Sequence, residues 1–141
     1  MRLVDANVLL YAVNEDAREH AKARVWLEAS LNGRETVGFA WLALLAFVRL
    51  STRPGIFPQP LDPCAACGFV DEWLARPVSV VLSPTSRHPS ILRGLLEEAG
   101  TAGNLTSDAH LAALAIEHGA GVWSFDRDFN RFAGLTAHVP T

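Results

Sequence analysis

Only two of the 141 residues are cysteine, and no apolar run reaches the roughly 18 residues that a bilayer crossing needs. The longest such run, Phe39 to Val48, stops at Arg49. No basic segment leads into an apolar one at the start, because Asp5 and Asn7 interrupt it at once. No secretion signal is therefore read there, and a cytoplasmic location with no membrane contact is expected. Cys64 and Cys67 form a CxxC, but it stands beside the amphipathic stretch FVDEWLARP rather than between a strand and a helix, which argues against a redox pair. Zinc would need two more convergent ligands, and His20, His88, His110, His118 and His138 are scattered singly, each expected at the surface or at a cap. The net charge of −3 excludes nucleic-acid binding through bulk positive charge, though not through a local site. No GxGxxG opens the chain, which argues against a dinucleotide enzyme.

What is present is an apolar chain, 50% of it hydrophobic, of a length that suits one domain spanning residues 1–141 with an ample core. Extended and helical signals alternate. RLVDA, ETVGFA, VSVVLSP, GVWSF and LTAHV read as strands. DAREHAKARVWLEASL reads as a helix with Ala21, Val25, Leu27 and Leu31 beside a polar face. WLALLAFVRLST is apolar on nearly all sides and is expected to be buried, ended by Pro54. AACGFVDEWLARP, HPSILRGLLEEA and DAHLAALAIEHG follow as helices, the last with Thr106 or Ser107 as its N-cap and Gly119 at its end. The alternation predicts an α/β fold, a three-layer α/β/α sandwich around a mainly parallel sheet of four or five strands.

Sites in such sheets form beyond the carboxyl ends of the strands. Asp5 ends the first strand, Asp126 ends the fourth, Asp128 follows, and Asp108 opens the most apolar helix. Each acid has a local alternative: Asp108 complements a helix dipole, and Asp126 with Asp128 caps a turn. Asp5, between two apolar stretches, has the least ready structural role. Carboxylates gathered in a partly dry place repel one another unless a cation occupies it, and a hard divalent ion meets that need. Such an ion activates a water and shields charge on a phosphodiester.

These residues resemble a known family. RLVDANVLLYAV together with GNLTSDAHLAALAIEHGAGVWSFDRDFNRF is similar to the PIN-domain ribonucleases, and especially to the VapC-type toxins of bacterial toxin–antitoxin pairs. The resemblance covers nearly the whole chain: an early DxN after a strand, an SDA helix start and a late S-x-D-x-D-F occur in order. It implies a Rossmann-like sandwich, a magnesium- or manganese-dependent endoribonuclease and a cognate antitoxin that blocks it. It also makes Asp5, Asp108 and Asp126 metal-binding catalytic residues, with Asp128 an accessory acid, Asn7 a support for the first aspartate and Ser124 the hydroxyl upstream of the late acid. The family usually carries a glutamate three residues before an arginine like Arg49, where this chain has Ala46. The missing charge implies weaker metal binding.

If RNA is the substrate, arginines must hold phosphate. Arg49 and Arg53 are four residues apart at the end of one helix, and Arg127 and Arg131 repeat the spacing beside the late acids, so each pair is expected to share a face. Solvated helix charge, or pairing with Asp126 and Asp128, explains them equally well. Trp26, Trp41, Trp73 and Trp123 are expected in the core or at an interface, and the resemblance makes a homodimer and an antitoxin helix in an apolar groove the expected covers. Two other functions compete. A binding module on the same fold with a decayed site is motivated by Ala46. A receiver-type signalling domain would want a lysine at the acidic rim, whereas the only lysine is Lys22, in the first long helix.

Overall fold

Five short apolar stretches pair as strands, each giving only two or three residues to the sheet. In the computed structural model, which describes residues 1–141, the order along the chain is β1 (Arg2–Val4), α1 (Ala6–Val13), α2 (His20–Leu31), β2 (Val37–Phe39), α3 (Trp41–Thr52) and α4 (Pro63–Leu74). Then come β3 (Ser79–Val81), α5 (His88–Ala99), α6 (Thr106–His118), β4 (Gly121–Trp123) and β5 (Ala137–His138), with 3₁₀ turns at Gly103–Leu105 and Arg127–Arg131. The spatial order is β3-β2-β1-β4-β5, and every pairing is parallel. The expected four or five strands are thus five.

Winding runs outward from β1 to β3, then α5 and α6 carry the chain back to β4 on the other side of β1. Helices of the two halves cover opposite faces. Successive strand residues point to opposite sides, so Val4, Val37 and Phe39 pack with α1 to α4 in one cluster, whereas Leu3 and Val122 pack with α5, α6 and Phe129 in the other. At about 1.5–3 kcal/mol for each large apolar side chain buried, these two layers hold the sandwich together. Gly38, in the middle of β2, has no room for a side chain: a Cβ there would stand 2.8 Å from Leu82 Cδ1.

Several local expectations give way to tertiary packing. α2 begins at His20, four residues late, and buries Ala23, Trp26, Leu27, Ser30 and Leu31; Ala21 is exposed and Val25 is 66% exposed. Val25 lies about 100° around the helix from Trp26, off the stripe that meets the sheet. α3 is not buried all round: it packs through Ala43, Leu44, Phe47 and Ser51, leaving Trp41 and Leu45 51% and 59% exposed. Neither Thr106 nor Ser107 caps α6, because the turn at Gly103–Leu105 runs straight into the helix and both become part of its first turn. Cys64 and Cys67 lie exposed at the start of α4.

The histidines are not all single surface or cap residues. Buried His88, at the start of α5, joins Glu117 through Nδ1 and His110 Nδ1 through Nε2 at 3.0 Å. Glu117 Oε1 accepts from the backbone N–H and the hydroxyl of Thr85, both at 2.7 Å. The partners are 22 to 32 residues apart, a separation that carries no local signal. Burial pushes the Glu117 carboxyl up, but bonds from Thr85 and His88 outweigh it and hold the group below its ordinary value. A carboxylate lowered in this way stabilises the fold above its unfolded pKa and loses that contribution as pH falls through the folded one. Glu117→Ala is expected to cost about 2–3 kcal/mol in urea denaturation at neutral pH, because it leaves buried donors without an acceptor. A change below about 0.5 kcal/mol would remove the clamp from the account of stability.

Candidate active site

Asp5 follows β1, and its backbone N–H still donates to the Trp123 carbonyl at 3.0 Å, extending the pairing with β4 by one residue. Its backbone is extended (φ −79°, ψ 156°), so it is the N-cap of α1, and its Oδ1 accepts from the Ala6 N–H at 2.7 Å. Asp5 thus has a structural role as a helix cap, but that role occupies one oxygen. Oδ2 accepts from the Ser124 hydroxyl at 2.7 Å. That hydroxyl, nearly inaccessible, also accepts from Asn7 Nδ2 at 3.0 Å and from the Asp126 N–H at 2.9 Å. Asn7 Oδ1 in turn accepts from the Phe125 N–H at 3.1 Å, and Asp126 Oδ1 from the Asp128 N–H at 2.8 Å. The carboxyl ends of β1 and β4, the strands between which winding reverses, are thus stitched together by side chains.

Asp108, in the first turn of α6, completes the group. Burial, then the charges of Asp5, Asp126 and Asp128, push its carboxyl up to about 6, with Arg131 the one nearby charge acting the other way. Asp5 is also raised, chiefly by burial and slightly by Asp126, against the opposing bonds from Ser124 and Ala6. The four acids therefore share one electrostatic field, although Asp126 and Asp128 are exposed. No three carboxylates close into a ready-made cage. The candidate ligands at this rim are all carboxylates, a set whose chemistry suits a hard ion whose shell is filled by water, in the manner of magnesium.

A groove of about 330 Å³ between α3 and α6 contains Asp5 and Asp108, together with Leu45, Ala46, Arg49 and Leu111. Ala46 therefore lines the same groove as Asp5 and Asp108. Of the arginines, Arg49 lines this groove, but Arg53 does not share its face. Pro54 excludes helical backbone at the residue before it, and Arg53 is the extended C-cap outside α3. Arg127 and Arg131 lie in a 3₁₀ turn rather than an α-helix. With three residues per turn, positions four apart point about 120° from each other. None of the four forms an ion pair with a rim acid. Tyr11 was missed from sequence. It lies one turn after Asn7 on α1, packs on Phe125 with ring centres 5.4 Å apart, and its hydroxyl is raised by burial and by Glu19, Asp126 and Asp5. The i, i+4 spacing from Asn7 is the signal that would have found it.

The family model described as PIN domain matches residues 2–135. The chain belongs to the PIN-domain family. Within it the chain is 53% identical over 140 residues to Ribonuclease VapC37 of Mycobacterium tuberculosis (strain ATCC 25618 / H37Rv), covering 99% of this chain and 97% of that protein. Ribonuclease VapC33 of the same strain is 40% identical over 135 residues, covering 96% and 94%. The fold also matches a chain from the crystal structure of VapBC2 from Rickettsia felis bound to a DNA fragment from their promoter. The TM-score is 0.72 at 18% identity, over 98% of this chain and 97% of that one. The protein is thus a PIN-domain VapC ribonuclease, and no helix in it is long and apolar enough to cross a membrane.

A carboxyl raised by burial and by its charged neighbours weakens the fold once ionised: between its unfolded pKa and about 6 the native state holds the extra proton, and stability falls as pH rises through that window. For this PIN protein without metal, Asp108→Asn should raise stability at pH 7.5 by about 1 kcal/mol after allowance for solvent screening, roughly 3 °C in Tm. The gain should vanish below about pH 4. A loss of stability at pH 7.5 would mean that Asp108 serves the helix and not the acidic cluster.

Proposed function

We propose that this VapC ribonuclease, the toxin of a type II toxin–antitoxin pair, hydrolyses RNA phosphodiesters within the strand, with Asp5, Asp108 and Asp126 holding a Mg2+ or Mn2+ ion. The observation that carries this reading is the meeting of acids from three separate elements at one partly buried rim, where burial first and like charge second raise Asp108 to about 6. Such an ion, when bound, lowers the pKa of a coordinated water and offsets charge growing on the phosphate. The chain's own residues do the rest. Ser124 and Asn7 fix the rotamer of Asp5 and keep one of its oxygens directed along the sheet edge. Asp128 adds charge from the outer rim. Arg49, in the groove, is placed to hold a phosphate near Asp5 and Asp108; Arg127 and Arg131 flank the far side, and Arg53 acts only at longer range.

The chain acts in the cytoplasm as one domain of residues 1–141, as a homodimer that covers the exposed Trp41 and Leu45 of α3, and is silenced by a cognate antitoxin whose helix lies in an apolar groove. One observation favours a second reading, a protein-binding module with a weakened site: Ala46 faces the groove where a carboxylate would add charge.

The discriminating assay incubates the purified protein with manganese or magnesium and a structured RNA mixture, beside Asp5→Ala. Wild type is expected to degrade RNA at least 100-fold faster than the variant; equal decay would leave the binding module. Ala46→Glu is expected to tighten divalent binding by about tenfold in calorimetry, an added carboxylate supplying roughly 1.4 kcal/mol. Unchanged or weaker binding would show that position 46 does not face the ion.

A further inference from the structure

On the side of the acids away from α3 lies a second hollow, of about 240 Å³, between the Arg127–Arg131 turn and β5. Asp126 and Ser124 form its inner wall, so it adjoins the acidic rim, and Arg127, Asn130 and His138 form the rest of its polar lining. Arg127 and Asn130 are exposed, and neither side chain makes an ion pair or hydrogen bond within the protein.

His138 is differently held. Its ring stacks on Trp123 with centres 4.2 Å apart and planes 22° from parallel, and Trp123 stacks on buried Trp26 at 5.8 Å and 23°. The Arg2 guanidinium lies 5.4 Å from the centre of the Trp123 ring. A three-ring stack thus runs outward from beneath α2 and ends at an exposed imidazole on the edge strand, which shares the hollow with Asp126. Parallel pairing of Trp123 with His138 fixes these rings in register. A rim residue needed only for solubility would not require that support.

We propose that this hollow is the subsite for an unpaired nucleobase of the RNA strand, the one next to the phosphate that lies over the acids; the proposal rests on the ribonuclease reading above. The base continues the ring stack on His138, which is already ordered and so loses little freedom on binding. Asn130, with a donor and an acceptor, and Arg127, with donors only, meet its edge. Single-stranded RNA is recognised through this combination of an aromatic or planar platform and polar groups on base edges. His138 and Asn130 are then specificity-determining residues: they touch the substrate but hold neither the ion nor the scissile phosphate.

The test has two arms. In the first, wild type, His138→Ala and Asn130→Ala digest a randomised single-stranded RNA pool with manganese, and the bases flanking each cut are read by sequencing. The expected result is a base preference on one side of the cut in wild type that falls about tenfold in either variant, with KM raised and kcat on the saturated pool little changed. The same preference in all three proteins would overturn the subsite and leave the nuclease intact. In the second arm the four ribonucleoside 5′-monophosphates are titrated, without metal, into Asp5→Ala protein and followed by NMR. Shifts are expected at the His138 ring and the Asn130 side-chain amide, with affinity about tenfold weaker when His138→Ala is added. If wild type cuts nothing, the nuclease reading fails and the second arm alone decides: shifts confined to the hollow support the subsite, and their absence overturns it.

Discussion

The hydroxyl of Ser124 is the junction on which the rest of the rim depends. A serine hydroxyl has one proton to give and two lone pairs to offer, and here all three are engaged: it donates to Asp5 and accepts from Asn7 and from the Asp126 backbone. These partners lie 119, 117 and 2 residues away, so one buried atom joins the start of the chain to the loop after β4. Parallel strands alone would bring the two strand ends to neighbouring positions. Only the side-chain bonds decide which oxygen of Asp5 faces inward and which way the Asp126 loop leaves the sheet. In a buried network, every unmatched group costs about 1–3 kcal/mol, which makes this arrangement one of few that the local sequence permits.

Against that order stands repulsion. Asp5 and Asp108 are both raised, and burial is the first cause in each, with like charge second for Asp108. Hydrogen bonds to Asp5 offset part of its burial; Asp108 has only the field of Arg131. The cluster therefore opposes folding at neutral pH, and the two apolar layers, each of 15 buried residues, supply the surplus that tolerates it. Leaving Asp126 and Asp128 in solvent limits the conflict, since exposed charges are screened. Sites that break a local rule in this way are where function is expected, because a fold with no use for the charge is better served by neutral residues.

Much of this could be read in the residues. The five strands follow from short apolar stretches, two of which, β1 and β4, lead into aspartate, and the convergence of those acids follows from the rule that parallel sheets gather chemistry at carboxyl ends. What was misread depended on partners far along the chain. Val25 and Ala21 are helical residues of the right type, but the sheet selected the neighbouring stripe through Trp26. The α3 sequence is apolar all round, and nothing in it says that one side faces outward. The arginine pairs failed for a different reason: the four-residue rule holds inside an α-helix, and Arg53 lies past the end of one while Arg127 and Arg131 lie in a tighter turn. The His88–Glu117–His110 group left no trace because each member is unremarkable among its own neighbours.

That last group bears on the rim despite lying outside it. Asp108, His110 and Glu117 all belong to α6, and at 100° per residue Glu117 lies about 180° and His110 about 160° around the helix from Asp108. The face that carries the clamp to α5 is therefore the one opposite the acid. α6 buries Ala109, Ala112, Ala113 and Ala115 beside Leu111 and Leu114, and this non-directional packing resists rotation about its axis only in part. Directional bonds resist it better: turning Asp108 away from Asp5 would pull Glu117 from His88 and from both donors of Thr85. On this account the polar clamp on the far side of α6 holds the acid in a field it would otherwise leave, and stability within the α5–α6 layer maintains the charge crowding at the edge of the sheet.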